Sequence, residues 1–250
     1  VADRAVHAGF APIQAEVKAE AWQATGPEGA PAEVTITVST QSLDDEPRAA
    51  RGTLTIRRLV QPEQPIRGHL LAPFATPRPR AAPGAQRGGK PARIPAALPA
   101  PDPNDPEGWE SGEEVFKAED ETDDVTGKAV AKVRLGPGIY RAEFVVPGAD
   151  GAPDVKARHT IQVIAPEATA ASIHRPLMLT AATTKALPGS TFEAIVATGY
   201  DRGRVLVEIL RDGKLLSRFW TELDRTQWPM RVEVGDEHRG GFTLRTWIVR

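Results

Sequence analysis

The sequence predicts an all-β chain of two immunoglobulin-like β-sandwiches in tandem, and three observations predict it. The first is a succession of short segments in which apolar and polar residues alternate, the period of a strand buried on one face. The second is turn chemistry: 22 Gly and 23 Pro occur among 250 residues, which suits many short strands better than helical bundles. Third, helix signals are almost absent. The length is enough for one large or two ordinary domains, each able to bury a real core.

Residues 13–22 (IQAEVKAEAW), 32–41 (AEVTITVSTQ) and 51–60 (RGTLTIRRLV) read as the first strands. The middle one alternates cleanly, with Val34, Ile36 and Val38 on one face and Thr35, Thr37 and Ser39 on the other. Between these segments, "GPEG" and "LDDEPR" carry turn residues. The pattern then stops. Residues 62–106 hold 12 of the 23 prolines, and proline neither donates to a strand ladder nor lets its predecessor turn helical. A long, mostly unstructured excursion is expected over about 71–108. Its charge is segregated: residues 64–100 carry six Lys/Arg and no acid, whereas 101–125 carry eleven Asp/Glu and one Lys.

Alternation returns at 113–118, 128–135, 139–147 and 155–164, with the tight turn Gly136-Pro137-Gly138 before the third of these. With the first three strands that makes seven, the usual inventory of an immunoglobulin-like sandwich. The first sandwich is therefore assigned to 1–166 and the second to 167–250, with a linker near 165–174 (APEATAASIH). Strands of the second are expected at 176–182, 190–198, 204–210, 214–223, 228–234 and 241–249. A seventh is expected beyond Arg250 or from another segment.

The hairpin "RVLVEILRDGKLLSRFWTEL" (204–223) poses a question of register. A two-residue loop at Asp212-Gly213 pairs Val207 with Arg218 and Glu208 with Ser217, mixing charge into both faces. A three-residue loop pairs Val207 with Ser217 and Val205 with Phe219, and gathers Val205, Val207, Ile209, Leu215 and Phe219 on one face. The second register is the expected one. Its other face carries Leu206, Leu210, Leu216 and Trp220 among Glu208, Lys214 and Arg218. Four large apolar groups on one hairpin predict a patch covered by a neighbouring domain.

Reactive constellations are scarce. His7, His69, His159, His174 and His238 are scattered, and none has a partner at helical ligand spacing. No Gly-x-Ser-x-Gly elbow, P-loop or dinucleotide fingerprint is present. The acidic run Glu119–Asp124 (EDETDD) is the strongest metal candidate, since loop carboxylates suit Ca²⁺, but the spacing is not that of an EF-hand and such a run usually forms a solvated face. No catalytic residue, metal ligand or cofactor site is assigned. In the basic Pro-rich segment, Arg80, Arg87 and Arg93 are not followed by Pro and form a candidate protease-accessible loop; polyproline recognition and a plain solvated spacer are the other readings.

Bulk properties narrow the partners. A formal charge of −2 gives no electrostatic reason to expect nucleic acid or an anionic membrane. The absence of Cys removes disulfides, thiolate metal sites and a Cys nucleophile from these residues. No apolar run reaches the roughly 18–20 residues that span a bilayer. The first residue is Val and no signal pattern follows it, so the chain reads as a piece of a longer polypeptide whose targeting segment has been removed.

Several stretches, in order, resemble bacterial α2-macroglobulin-family proteins in their macroglobulin (MG) domains. They are "ARGTLTIRRLVQP" (50–62), "GWESGEEV" (108–115), "LGPGIYRAEFVV" (135–146) followed by Asp150-Gly151, "HRPLMLTAATTKALPGSTFEAIVATGY" (174–200) and "VEVGDEHRGGFTLRTWIVR" (232–250). The resemblance covers nearly the whole chain apart from the Pro-rich excursion. It implies a secreted or periplasmic protease-trapping protein, an endopeptidase inhibitor, in which tandem MG sandwiches form a scaffold around a cleavable bait. Partners are then the neighbouring domains of the same longer chain and, for the full-length protein, target proteases. The family's Cys-Gly-Glu-Gln thioester is not in this sequence, so a scaffold role carries over and no catalytic residue does. Two alternatives stay open: a tandem immunoglobulin-like adhesion array, which predicts independent domains, and accessory β-domains of a secreted hydrolase, which predict a catalytic domain alongside.

Overall fold

The structure, a computed structural model, describes residues 13–20, 22–26, 29–66, 102–148 and 151–249. Fourteen strands and no α-helix are found among the described residues. The first eight are β1 (Ile13–Lys18), β2 (Gln23–Ala24), β3 (Ala32–Ser42), β4 (Arg51–Leu59), β5 (Ser111–Glu121), β6 (Lys128–Leu135), β7 (Gly138–Val146) and β8 (Val155–Ile164). They form a three-stranded sheet, β1-β3-β6, and a five-stranded sheet, β2-β8-β7-β4-β5.

The alternation read along β3 is the packing observed. Val34, Ile36 and Val38 are buried while the residues between them are not. They meet Leu54 and Ile56 of β4, Phe144 of β7, and Ile161 and Val163 of β8 in one core. Tyr140, near the start of β7, donates its hydroxyl to the Gly136 carbonyl at 3.0 Å. This is the tyrosine corner of immunoglobulin-like sandwiches, a bond from a buried ring back to the preceding turn.

Two expectations for this half are corrected. Residues 13–22 do not form one strand. β1 pairs antiparallel with β3, and after a crossing the chain resumes as β2, parallel to β8 in the opposite sheet. By changing sheets, the segment supplies backbone partners to an edge of each, which one straight strand cannot do. Residues 102–108, which the sequence placed in the unstructured excursion, form a turn followed by the 3-10 segment Pro106–Gly108, whereas 71–101 lie outside the described residues. Asn104 is buried, donating its amide to the Ile66 carbonyl at 2.6 Å and accepting from the Ile66 N–H at 2.9 Å. A side chain here does what a neighbouring strand would do, in a stretch where prolines leave few backbone donors.

The remaining strands are β9 (Met178–Thr180), β10 (Thr191–Ala197), β11 (Arg204–Arg211), β12 (Lys214–Trp220), β13 (Gln227–Glu233) and β14 (Thr243–Val249). β9-β10-β13 and β12-β11-β14 are the two sheets, and Ala194, Val196, Val205, Val207, Trp228 and Met230 fill the space between them.

The 204–223 hairpin adopts neither simple register. Asp212 (φ 48°) and Gly213 (φ 77°) both have positive φ, the requirement of a type I′ two-residue turn, whose twist matches that of the flanking strands. Arg211 pairs with Lys214 and Leu210 with Leu215; a bulge follows, and Ile209 then pairs with Ser217, Glu208 with Arg218 and Val207 with Phe219. The extra residue, Leu216, restores the buried parity that an unbroken two-residue hairpin would lose. The expected three-residue loop and its Val207–Ser217 and Val205–Phe219 pairs are therefore not formed: Phe219 lies opposite Val207, on the side of Val205 and Ile209 but 41% exposed on this edge strand, and Leu215 is displaced from that side.

Candidate interaction surfaces

Among the described residues, those the sequence offered do not converge on one centre. Among the described residues, no group of three or more His, Asp or Glu is placed to hold a metal. The acidic run is divided by its local structure. Glu119, Asp120 and Glu121 belong to β5, where successive side chains alternate between faces, and Glu119 pairs with Arg51 of β4 at 2.8 Å. Asp123 instead closes the turn into β6. Its Oδ1 accepts from the Thr126 N–H and hydroxyl, each at 2.8 Å, and from the Val125 N–H at 3.1 Å. Those bonds, the ones from Thr126 foremost, hold its carboxyl below the usual aspartate range. His159 lies in β8, His174 before β9 and His238 between β13 and β14; His7 and His69 lie outside the described residues.

What the structure does assemble is a joint between the two sandwiches. Leu59 at the end of β4, Ile139 in β7, Ile164 at the end of β8 and Trp109 form one buried cluster with Ile173, Met178, Ile195 and Ala197. The first four close the end of the first sandwich, and the last four belong to the connecting segment and the second. A polar clasp lies beside it. Gln61 donates its amide to the Ser172 carbonyl at 3.0 Å and accepts the His174 N–H at 2.8 Å, while His174 Nδ1 lies 2.8 Å from the Pro62 carbonyl oxygen.

The segment expected to be a linker is held on its other side too. Buried Gln227 of β13 donates to the Ala165 and Ala168 carbonyls. The backbone N–H groups of Thr226 and Gln227 both donate to the Thr169 carbonyl, and Ala171 N–H donates to Thr226 Oγ1. Gly199 allows this docking: a Cβ there would lie 2.6 Å from His174 Cα. The connection is a packed part of both sandwiches, not a tether.

Sequence reading did not single out Gln61, Trp109 or Gln227. The available signal was apolar residues at strand ends, Leu59 and Ile164, where a lone sandwich would meet water.

A second construction closes the neck of the Pro-rich insertion. The Arg141 guanidinium donates to the carbonyls of Trp109, Pro106 and Glu107 at 2.9–3.0 Å. Trp109 Nε1 donates to the Pro103 carbonyl at 2.9 Å. One planar cation with its donors in a fixed fork gathers the turn around Pro106–Gly108 against β7. Arg80, Arg87 and Arg93 lie outside the described residues.

The four apolar residues singled out on the hairpin divide. Leu210 is buried and Leu206 half-buried, while Leu216 and Trp220 are 41% and 44% exposed. Trp247 of β14, which pairs with Leu206, is also exposed and was not anticipated. Arg204 lies 5.3 Å from the Trp220 ring centroid. Arg218 donates twice to the shielded Glu208 carboxylate, at 2.9 and 2.6 Å. The result is an apolar surface into which one shielded carboxylate, Glu208, is set between Arg218 and Arg245 at 2.6 and 3.9 Å.

No protein-family model matches the chain, and no curated protein matches it. Among solved structures it is similar to Escherichia coli alpha-2-macroglobulin activated by porcine elastase, at 12% identity and a TM-score of 0.35, over 97% of this chain and 22% of that one. It is also similar to the native conformation of E. coli alpha-2-macroglobulin, at 10% identity and a TM-score of 0.29, over 95% of this chain and 16% of that one. The chain spans about a fifth of the length of the first of these structures. The likeness is weak and lies at the level of the fold.

Proposed function

We propose that these residues are a stiff two-sandwich scaffold, 1–166 and 167–250, within a larger secreted or periplasmic protease-trapping protein of the α2-macroglobulin kind. The part is mechanical and not enzymatic. The observation that carries the reading is the joint: Gln61, His174 and Gln227 bind the connecting segment on both sides of a shared apolar cluster. Domains within one chain move relative to each other unless their interface is large and apolar. Scaffold modules that must transmit a rearrangement need the stiff alternative, and an adhesion array of independent beads does not. The order of motifs from "ARGTLTIRRLVQP" to "RGGFTLRTWIVR" supports the family, and the tyrosine corner supports the sandwich type.

On this reading the outer hairpin face, exposed at Leu216 and Trp220 with Leu206 half-buried and Leu210 buried beside them, meets another domain of the same longer chain, and proteases are partners of the full-length protein. Arg80, Arg87 and Arg93 are candidate cleavage points. The test is to incubate the longer polypeptide with a serine protease and follow activity on a large protein and on a small chromogenic peptide. A trap blocks the large substrate and spares the small one, because enclosure excludes by size. Equal activity on both substrates with and without the polypeptide would overturn the proposal.

A further inference from the structure

The sheet β12-β11-β14 turns one face to the core through Val205 and Val207 and the other outward. Pairing across the strands arranges the outward residues in rows. Arg204 lies opposite Val249, Leu206 sits between Trp220 and Trp247, and Glu208 sits between Arg218 and Arg245. Strand spacing sets the two Trp positions about 10 Å apart astride Leu206, and successive rows about 7 Å apart along β11. Both indoles are exposed, with Leu206 half-buried between them. At the Arg204 end a pocket of about 370 Å³ is walled by Trp220, Leu223, Val249, Arg202 and Arg204.

Charge on this surface is one-sided. Glu208, its side chain only 9% exposed, accepts twice from Arg218 through one oxygen, and its other oxygen lies 3.9 Å from Arg245. One carboxylate between two guanidiniums neutralises one of them and steadies both, and each fork keeps N–H donors that Glu208 does not use. Glu222 and Asp224, beyond β12, pair with Arg225 instead. Counting Asp201 beside Arg202, four arginines face two carboxylates here, in a chain whose formal charge is −2. Trp and Arg around a pocket are the residues that carry most binding energy at protein contacts. A cationic excess among them selects an acidic partner and fixes its register.

We infer that this face binds an acidic extended segment from another domain of the same longer chain, laid along β11. Residues two apart on an extended segment repeat at the row spacing, so the rows specify its pattern. An apolar side chain at one position enters the pocket beside Trp220. A second, two places on, lies over Leu206 between the indoles. An Asp or Glu two places further meets the unused donors of Arg218 and Arg245, so that two guanidiniums then face two carboxylates. The inference rests on reading the face as an interdomain contact and does not involve trapping.

The test uses the longer polypeptide carrying Arg218→Lys or Arg245→Lys, which puts a reactive amine beside the incoming acid. A carbodiimide joins that amine to a carboxylate in contact with it, and peptide mapping identifies the acid. Coupling is expected to an Asp or Glu outside residues 1–250, with apolar residues two and four places to one side of it. Trp220→Ala is expected to lower that yield at least fivefold. Coupling to Glu208 alone, to a second copy, to an acid without that apolar pattern, or to nothing would overturn the inference. In parallel, the 250-residue chain receives the peptide acetyl-SFSLSES-amide, or a control with its Glu replaced by Lys, and tryptophan emission is followed. The acidic peptide is expected to bind at least tenfold tighter. Equal binding, or a response only to a β-glucan oligosaccharide, would also overturn the inference. A longer polypeptide that still blocks large substrates and spares small ones, with the coupling absent, would lose this contact and keep the trap.

Discussion

The side-chain carbonyl of Gln61 accepts the backbone N–H of His174 at 2.8 Å, joining the end of the first sandwich to the entry of the second across 113 residues of sequence. The amide of the same side chain reaches the Ser172 carbonyl, so one glutamine satisfies a donor and an acceptor of the connecting segment. Gln61→Ala leaves both without that partner in a partly buried site, a loss of about 1–3 kcal/mol. Calorimetry is expected to separate one unfolding transition into two, with faster amide exchange at His174. A single transition with unchanged midpoint would show that the apolar cluster alone sets the joint.

Tyr140 carries a pH signature. Burial pushes its phenol above the ordinary tyrosine value, with Arg58 opposing and Glu113 adding a smaller upward effect. Since the folded pKa exceeds the unfolded one of about 10, the associated stability is fully present below that pH and is lost as pH climbs through the folded value. Tyr140→Phe removes the bond to Gly136 and is expected to cost about 1 kcal/mol at neutral pH. Above the unfolded pKa the gap between wild type and variant should narrow. Urea titrations at neutral and alkaline pH measure it.

At the insertion neck, Arg141→Lys tests whether the clamp depends on geometry or charge. An ammonium keeps the charge but cannot match a planar fork directed at three carbonyls. Faster proteolysis near Trp109, with the midpoint of global unfolding little altered, is the expected result. Asn104→Ala is a second probe: amide exchange at Ile66 should rise at least several-fold while strands β3 and β4 stay protected.

Brief trypsin treatment is expected to cut at Arg80, Arg87 or Arg93. The two products should stay together under native conditions, because β4 is paired to both β5 and β7 across the cut and the Asn104 and Arg141 contacts secure the neck. Denaturing electrophoresis with native size-exclusion chromatography reads this directly. Separation of the fragments without denaturant would contradict the description of the neck.

Strand positions were legible because a half-buried strand must alternate, and β3 and β6 do so with apolar residues at most of the buried positions. The hairpin register was less so. Asp-Gly announced the turn, but the bulge at Leu216 depends on which parity sets Phe219 opposite Val207, a pairing made only once the strands are in place. The patch residue Leu210 became buried for a similar reason, while Trp247 joined the surface through pairing with Leu206.

Local periodicity thus determined the all-β class, most strand positions and the turns, since each depends on residues a few places apart. The joint, the clamped neck and the edge-to-face contact of Phe192 with Phe242 were decided only by tertiary structure. Gln61 and His174, Arg141 and Trp109, and Phe192 and Phe242 are distant along the chain, and a polar side chain shows no periodicity to say which backbone group it will meet. Their pairing follows from where whole sheets come to rest, and burial then makes each unsatisfied donor or acceptor costly enough to select one arrangement.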